Sequence, residues 1–167
     1  MTVRQCLPWP APCLRRPAAP VAAVDDAIHA HWADMIDTME AMPGVGLAAP
    51  QIGVALQLAV VDASPGRGQA VRMANPEILW VSDSLETRPE ASPNLRGLSA
   101  PVARPDAVRL RFLNAAGAVE ERAFQGLWAT SAQHQIDHLQ GRMYFDRLSR
   151  VRRDMLLKKA RKIGVVP

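Results

Sequence analysis

Between Val24 and Met39 the apolar side chains Val24, Ile28, Trp32, Met35, Ile36 and Met39 recur at one-face helical spacing, and Asp25, Asp26, Asp34 and Asp37 fill other positions. Acids in the first turn and Pro43-Gly44 after the last repeat predict an amphipathic helix over this stretch. The period then shortens. Leu56 to Asp62 (LQLAVVD) reads as a strand, Ser64 to Gln69 as a turn, and Val71 to Ala74 as a short strand stopped by Asn75-Pro76, with Glu77 to Val81 a candidate resumption. Ser82 to Asn94 is polar and shows no period. Ala107 to Asn114 (AVRLRFLN) alternates as a half-buried strand does, Ala115-Ala116-Gly117 turns the chain, and Val119 to Gln125 returns as its partner. A helix is predicted from about Leu127 to Leu139, with Gly141 as its stop, and a last helix from about Ser149 to Lys162. Helix, strands, helix, helix is the order of an α+β domain. Antiparallel sheets wrap a central helix, with one helix towards each end of a single domain over residues 1–167.

The connecting stretches sharpen this picture. Residues 1 to 20 are rich in proline and arginine, which predicts an extended arm laid over the domain. Gly44 to Gly53 (GVGLAAPQIG) holds three glycines and a proline, so an irregular loop with close backbone approach is expected, and it lacks the GK[ST] ending of a phosphate loop. Hydrophobic residues make up 49% and charged residues 22% of the chain, an ordinary globular balance, and no apolar run approaches a membrane span. Nor does the start carry the apolar core of a secretory signal, so a cytoplasmic protein is expected. Cys6 and Cys13 make no disulfide framework. The net charge of +4 is concentrated in Arg147, Arg150, Arg152, Arg153, Lys158, Lys159, Arg161 and Lys162, a face that suits RNA or acidic lipid but is more often simply solvated.

Within the central helix the stretch Gln133 to Gly141 (QHQIDHLQG) carries the chemistry. His134 and His138 are four residues apart, so their imidazoles leave one helix face a turn apart, as two ligands to one metal ion do. By itself the pair also fits a half-buried face with hydrogen-bonded imidazoles. The position after the first histidine, where H-E-x-x-H carries a proton-moving glutamate, is Gln135.

Three pieces together resemble the peptide deformylase family, metalloenzymes that remove the formyl group from new bacterial proteins. Gly44 to Gln51 (GVGLAAPQ) is similar to that family's first motif, Leu98-Ser99-Ala100-Pro101 to the tail of its second, and Gln133 to Gly141 to its third. Leu14 to Ala18, Asn75 to Ile78 and Asp146 to Ser149 match in order and spacing. The resemblance implies a divalent metal, Fe or Zn, on His134 and His138. Gln51 and the backbone N–H of Leu98 would hold the oxyanion, with Gly46 beside the substrate backbone and Arg104 at the rim of the cleft. Val45, Leu127, Thr130 and Ser131 would line a methionine pocket made more polar by the two hydroxyls.

The second motif reads EGCLS in the family. Aligned on Leu95 to Ser99, it puts Leu95 at the glutamate and Gly97 at the cysteine that supplies the third ligand, while Gln135 stands at the catalytic glutamate. With two neutral imidazoles left, metal binding is expected to be weak or absent unless Ser99, Glu90 or a second water enters, and Asp137 is expected to act behind the ligands. Gln135 can hydrogen-bond a water but cannot take its proton. Three readings stand: a deformylase that still acts on N-formylmethionyl peptides, a silent paralogue binding peptide N-termini or the ribosome, and a hydrolase with an altered reaction. The partners implied are a nascent peptide end and the ribosome, with neither membrane nor DNA.

Overall fold

A computed structural model describes residues 2–167. Helix α1 spans Asp26–Glu40 and opens on Asp25, whose carboxylate accepts the backbone N–H of Ile28 at 3.0 Å, at a helix end where N–H groups have no helical partner. Its apolar face is the one the spacing predicts: Ile28, Trp32, Met35 and Met39 are buried against Leu47, Ile52, Leu58 and Val60.

Seven strands follow the first helix in two antiparallel sheets. The larger sheet has the order β1-β2-β3-β6-β7, from Gly46–Ala48, Leu58–Val61, Val71–Val81, Ala107–Leu113 and Val119–Gln125. The smaller is the hairpin of β4 (Leu85–Ala91) and β5 (Ser99–Pro105). Helix α2 (Gly126–Leu139) lies on the larger sheet, with Ala129, Ala132, Ile136 and Leu139 packed against Ala59, Val61, Val108, Leu110, Phe112 and Phe124. Each large side chain buried there contributes about 1.5–3 kcal/mol, and the alanines let the helix approach closely. A third core joins α3 (Arg150–Lys162) to the hairpin through Leu157, Ala160, Tyr144, Phe145, Leu95, Leu98 and Val102. The architecture is the α+β arrangement expected. Among the described residues no helix is long and apolar enough to cross a membrane.

Four departures from the sequence reading have physical causes. The segment 82–94, read as patternless, contains β4, because its inward-facing residues include Arg88 and Glu90, so the alternation is invisible to hydropathy. Asn75-Pro76 does not stop the strand but sits in a bulge within a continuous β3. Asn75 takes φ +51° there, and its side-chain amide replaces a backbone partner by accepting from the N–H and donating to the carbonyl of Val21, each at 2.7 Å. The glycine-rich loop contains β1 and a 3-10 turn at Ala49–Ile52. The arm runs over the domain as expected, with Leu7 N–H donating to the Gln51 carbonyl and Ala18 N–H to that of Leu139, but it also forms a 3-10 turn at Pro12–Arg15.

Candidate functional site

From Ala129 to Leu139 every residue of α2 is buried, although Thr130, Ser131, Gln133, His134, Gln135, Asp137 and His138 are polar. Each such group must find a partner or remain at a cost. Gln133 donates to the carbonyls of Pro105 (2.8 Å) and Ala129 (3.0 Å). Ser131 donates its hydroxyl to the Val45 carbonyl at 3.1 Å, and Thr130 accepts from Arg88 at 3.1 Å. Both hydroxyls thus have protein partners. His134 Nδ1 lies 2.7 Å from Glu90 Oε1, and a carboxylate only accepts, so Nδ1 carries the proton. Its Nε2 stands 3.1 Å from Nε2 of His138. Burial first, then the neighbouring His134 and Arg104, push the His138 pKa well below the usual imidazole range, so His138 is neutral. Gln135 Oε1 and His138 Nδ1 are buried without a partner among the described residues.

Behind the histidines lies a buried charged network. Arg104 from β5 donates Nε and Nη2 to Glu90 (2.6 and 2.9 Å) and Nη1 to Asp137 (2.9 Å), and Asp137 is also held by Arg147. Arg104 is only 2% exposed. The expectation that it stands at the rim of the cleft is therefore corrected: two carboxylates draw its planar fork inwards, and it does not line the cavity. Burial pushes the Glu90 carboxyl up, but hydrogen bonds from His134 and Arg104 outweigh it and hold the group below the usual carboxylate range. Tyr144, stacked beside His134, is pushed up to about 12 by burial and by the Glu90 charge.

Two nitrogens each about 2.0–2.1 Å from a tetrahedral ion stand about 3.3 Å apart, close to the observed 3.1 Å between the two Nε2 atoms. The imidazole pair alone thus fits chelation. The remaining donors do not. Glu90 faces Nδ1 of His134, the wrong edge of the ring, Gly97 has no side chain, and Ser99 is exposed. Among the described residues His138 Nδ1 also lacks the acceptor that a metal-bound imidazole ordinarily has behind it. Among the described residues no group of three or more His, Cys, Asp or Glu side chains is placed to hold a metal ion. The donor set does not fit a catalytic metal centre.

The face of α2 opens on a cavity of about 560 Å³. Val45, Gly46, Gln51, Gly97, Leu127, Thr130, Ser131, His134 and Gln135 all line it. His138 lies behind His134, and Leu98 is turned into the C-terminal core, where its carbonyl accepts from the Tyr144 hydroxyl at 3.2 Å. The structure thus does not bring Leu98 to the cavity wall. Gly46 is required where it stands, because a Cβ there would lie 2.5 Å from Ser131 Oγ, 2.6 Å from Gln135 Nε2 and 3.1 Å from the Val60 carbonyl. Gln51 is held at both ends of its amide: Oε1 accepts from Ala48 N–H at 2.8 Å, and Nε2 donates to Asn94 at 2.8 Å, with Ser92 Oγ at 3.5 Å. The sequence reading missed Ser92 and Asn94 as its partners, Arg88 behind Thr130, and Glu90 as the group orienting His134. The one available signal was Glu90, a carboxylate two residues before a serine in a stretch with no other reason to fold inwards.

The comparisons agree with this architecture. The family model described as "Polypeptide deformylase" matches residues 3–154. A "Peptide deformylase" of Phenylobacterium zucineum is 42% identical over 97% of this chain and 97% of its own. A "Peptide deformylase-like" protein of Bradyrhizobium diazoefficiens is 37% identical over 98% and 96%. Among solved structures, a peptide deformylase from Legionella pneumophila superposes with a TM-score of 0.89 at 35% identity, covering 96% of this chain and 95% of that one. Another, from Ehrlichia chaffeensis in complex with actinonin, reaches 0.90 at 28% identity, covering 98% and 99%. On sequence match along nearly its whole length and on the fold that carries its cavity, this chain belongs to the peptide deformylase family.

Proposed function

We propose that the chain keeps the family's cleft for the N-terminal end of a formylated nascent peptide, while its hydrolytic activity is weak or lost. The supporting observation is the cavity wall itself. Val45, Gly46, Gln51 and Leu127 stand in one cleft with His134, whereas the position for a proton-moving carboxylate holds Gln135 with its Oε1 buried and without a partner among the described residues. Gly46 lets Ser131 and Gln135 pack close against β1, and Ser131 and Thr130 direct their hydroxyls to Val45 and Arg88, which leaves the cleft wall less polar than the sequence suggests. An amide at residue 135 can position a water or a substrate N–H, but it neither accepts a proton from water nor delivers one to a leaving amine. Loss of that role costs about two to four orders of magnitude in rate. The family is metal-dependent, and two imidazoles alone hold a divalent cation weakly. A nascent-chain ligand implies action in the cytoplasm, and the basic surface of α3 suits the ribosome.

Calorimetric titration with formyl-Met-Ala-Ser tests the reading. The formylated peptide is expected to bind, its unformylated form more weakly, with little conversion of either. Failure to bind, or turnover at an ordinary enzymatic rate of about 1 s⁻¹ or more, would overturn it. Within this reading, weak rather than lost activity draws on the 3.1 Å spacing of the two Nε2 atoms, and the same titration followed by product analysis separates slow deformylation from none.

A further inference from the structure

We propose that Ser92, the residue just after β4, and not Gly97, occupies the corner where a third protein donor would meet His134 and His138, and that its hydroxyl leaves this corner unable to hold a catalytic cation. This deepens the reading above and rests on it only for the weakness of metal binding. Alternate residues of a strand share a face about 6.6–6.8 Å apart. Glu90 and Ser92 are both buried and Ala91 between them is exposed, so Ser92 follows Glu90 on the inward side. Glu90 already touches Nδ1 of His134 at 2.7 Å, and Ser92 lines the same cavity as His134 and Gln135. Gly97 borders the same cavity but differs in setting: it is exposed, it has φ +77°, and a Cβ built on it meets nothing within 4 Å among the described residues. Leu95, which the first register set at the motif's glutamate, is fully buried among Tyr144 and Phe145, where a carboxylate would be stranded. Counted from Glu90, the spacing glutamate–x–donor runs Glu90-Ala91-Ser92, with the glutamate present and paired to Arg104.

The hydroxyl is also committed elsewhere. Ser92 Oγ donates to Asn94 Oδ1 at 2.9 Å and accepts from Asn94 N–H at 3.3 Å, and Asn94 Oδ1 takes the Gln51 amide at 2.8 Å. A neutral alcohol brings no negative charge to offset a dication, whereas a thiolate would.

The test compares cobalt(II) binding by the native chain, Ser92→Cys and Gly97→Cys, each checked for folding by near-ultraviolet circular dichroism. Ser92→Cys is expected to retain about one cobalt per chain through gel filtration, to show thiolate-to-cobalt absorption, and to bind about 100-fold or more tightly than the native chain. Gly97→Cys is expected to behave as the native chain does. Uptake by Gly97→Cys but not Ser92→Cys, or by neither folded variant, would overturn the proposal. Ser92→Asp sets an anionic oxygen at the same corner and reads the same outcome if the thiol variant misfolds. Should the native chain itself hold about one ion, the weak-binding reading falls and with it the claim that the hydroxyl cannot hold a cation; Ser92→Ala then decides only the placement, which retention of the ion overturns and release leaves standing.

Discussion

Replacing Arg104 with methionine removes a guanidinium that is 2% exposed and that makes two hydrogen bonds to Glu90 and one to Asp137. Arg147 still holds Asp137, so the stranded group is the Glu90 carboxylate, left buried with one imidazole N–H. Breaking a buried pair by removing one partner costs about 3–5 kcal/mol, chiefly because the other charge remains without compensation. For a chain of this length about 1 kcal/mol shifts the midpoint by about 2–4 °C, so thermal unfolding should fall by on the order of 6–20 °C. Adding Glu90→Gln to Arg104→Met should return part of that loss, with a coupling of about 0.5–3 kcal/mol. Urea titration at pH 7 of the native chain, Arg104→Met, Glu90→Gln and the double variant measures both quantities. An arginine at the rim of a cleft, as the sequence reading had it, would give a change within about 0.5 kcal/mol and no coupling. A loss that small would refute the assignment of Arg104 to a buried network.

Other outcomes follow from single contacts. Gly46→Ala should weaken formyl-peptide binding at least about 10-fold and lower the melting temperature as well, because Ser131 and Gln135 on the cleft wall must move and the Val60 carbonyl is crowded, and calorimetry beside a melting curve reads both effects. Gly141→Ala should destabilise by about 2 kcal/mol or more in urea, since its φ is +76° and the added Cβ meets the backbone of Arg15 and Arg16 at 2.8 Å. Asp62 is buried, yet hydrogen bonds from Ser64 and Gln69 outweigh burial and hold its carboxyl below the usual range. A depressed folded-state value gives stability that is present above the unfolded value of about 3.9 and lost as pH falls through the folded one. The stability difference between the native chain and Asp62→Asn, measured by urea unfolding, should therefore be full at neutral pH and shrink below about pH 4; a difference independent of pH would contradict this.

What the sequence disclosed was whatever repeats at a fixed period or lies within a few residues. Helix α1, the β6–β7 hairpin, α2 and α3 are visible in their apolar spacing, and the imidazole pair in its four-residue step. The cleft wall was legible for Val45, Gly46 and Gln51 from one contiguous motif, and for Thr130 and Ser131 from their place within one or two helical turns before His134. What stayed hidden depends on distance along the chain. Arg104 pairs with carboxylates 14 and 33 residues away, so its inward direction leaves no local trace. Strand β4 presents Glu90 inwards because His134, 44 residues on, receives it. That same displacement hides Ser92, since a register set on the letters L-S at 98 and 99 overlooks a glutamate that only the fold shows to be engaged.

We propose, then, a cleft that survives without the apparatus that splits the formyl amide. This is tested most directly by purifying the protein without added metal, determining bound Fe, Zn, Ni and Co per chain, and then following formyl-Met-Ala-Ser hydrolysis with each ion supplied. The account predicts well under one ion per chain and a rate at least about 100-fold below that of a family member carrying the full ligand and glutamate set, measured alongside. About one ion per chain together with turnover matching that enzyme would contradict it.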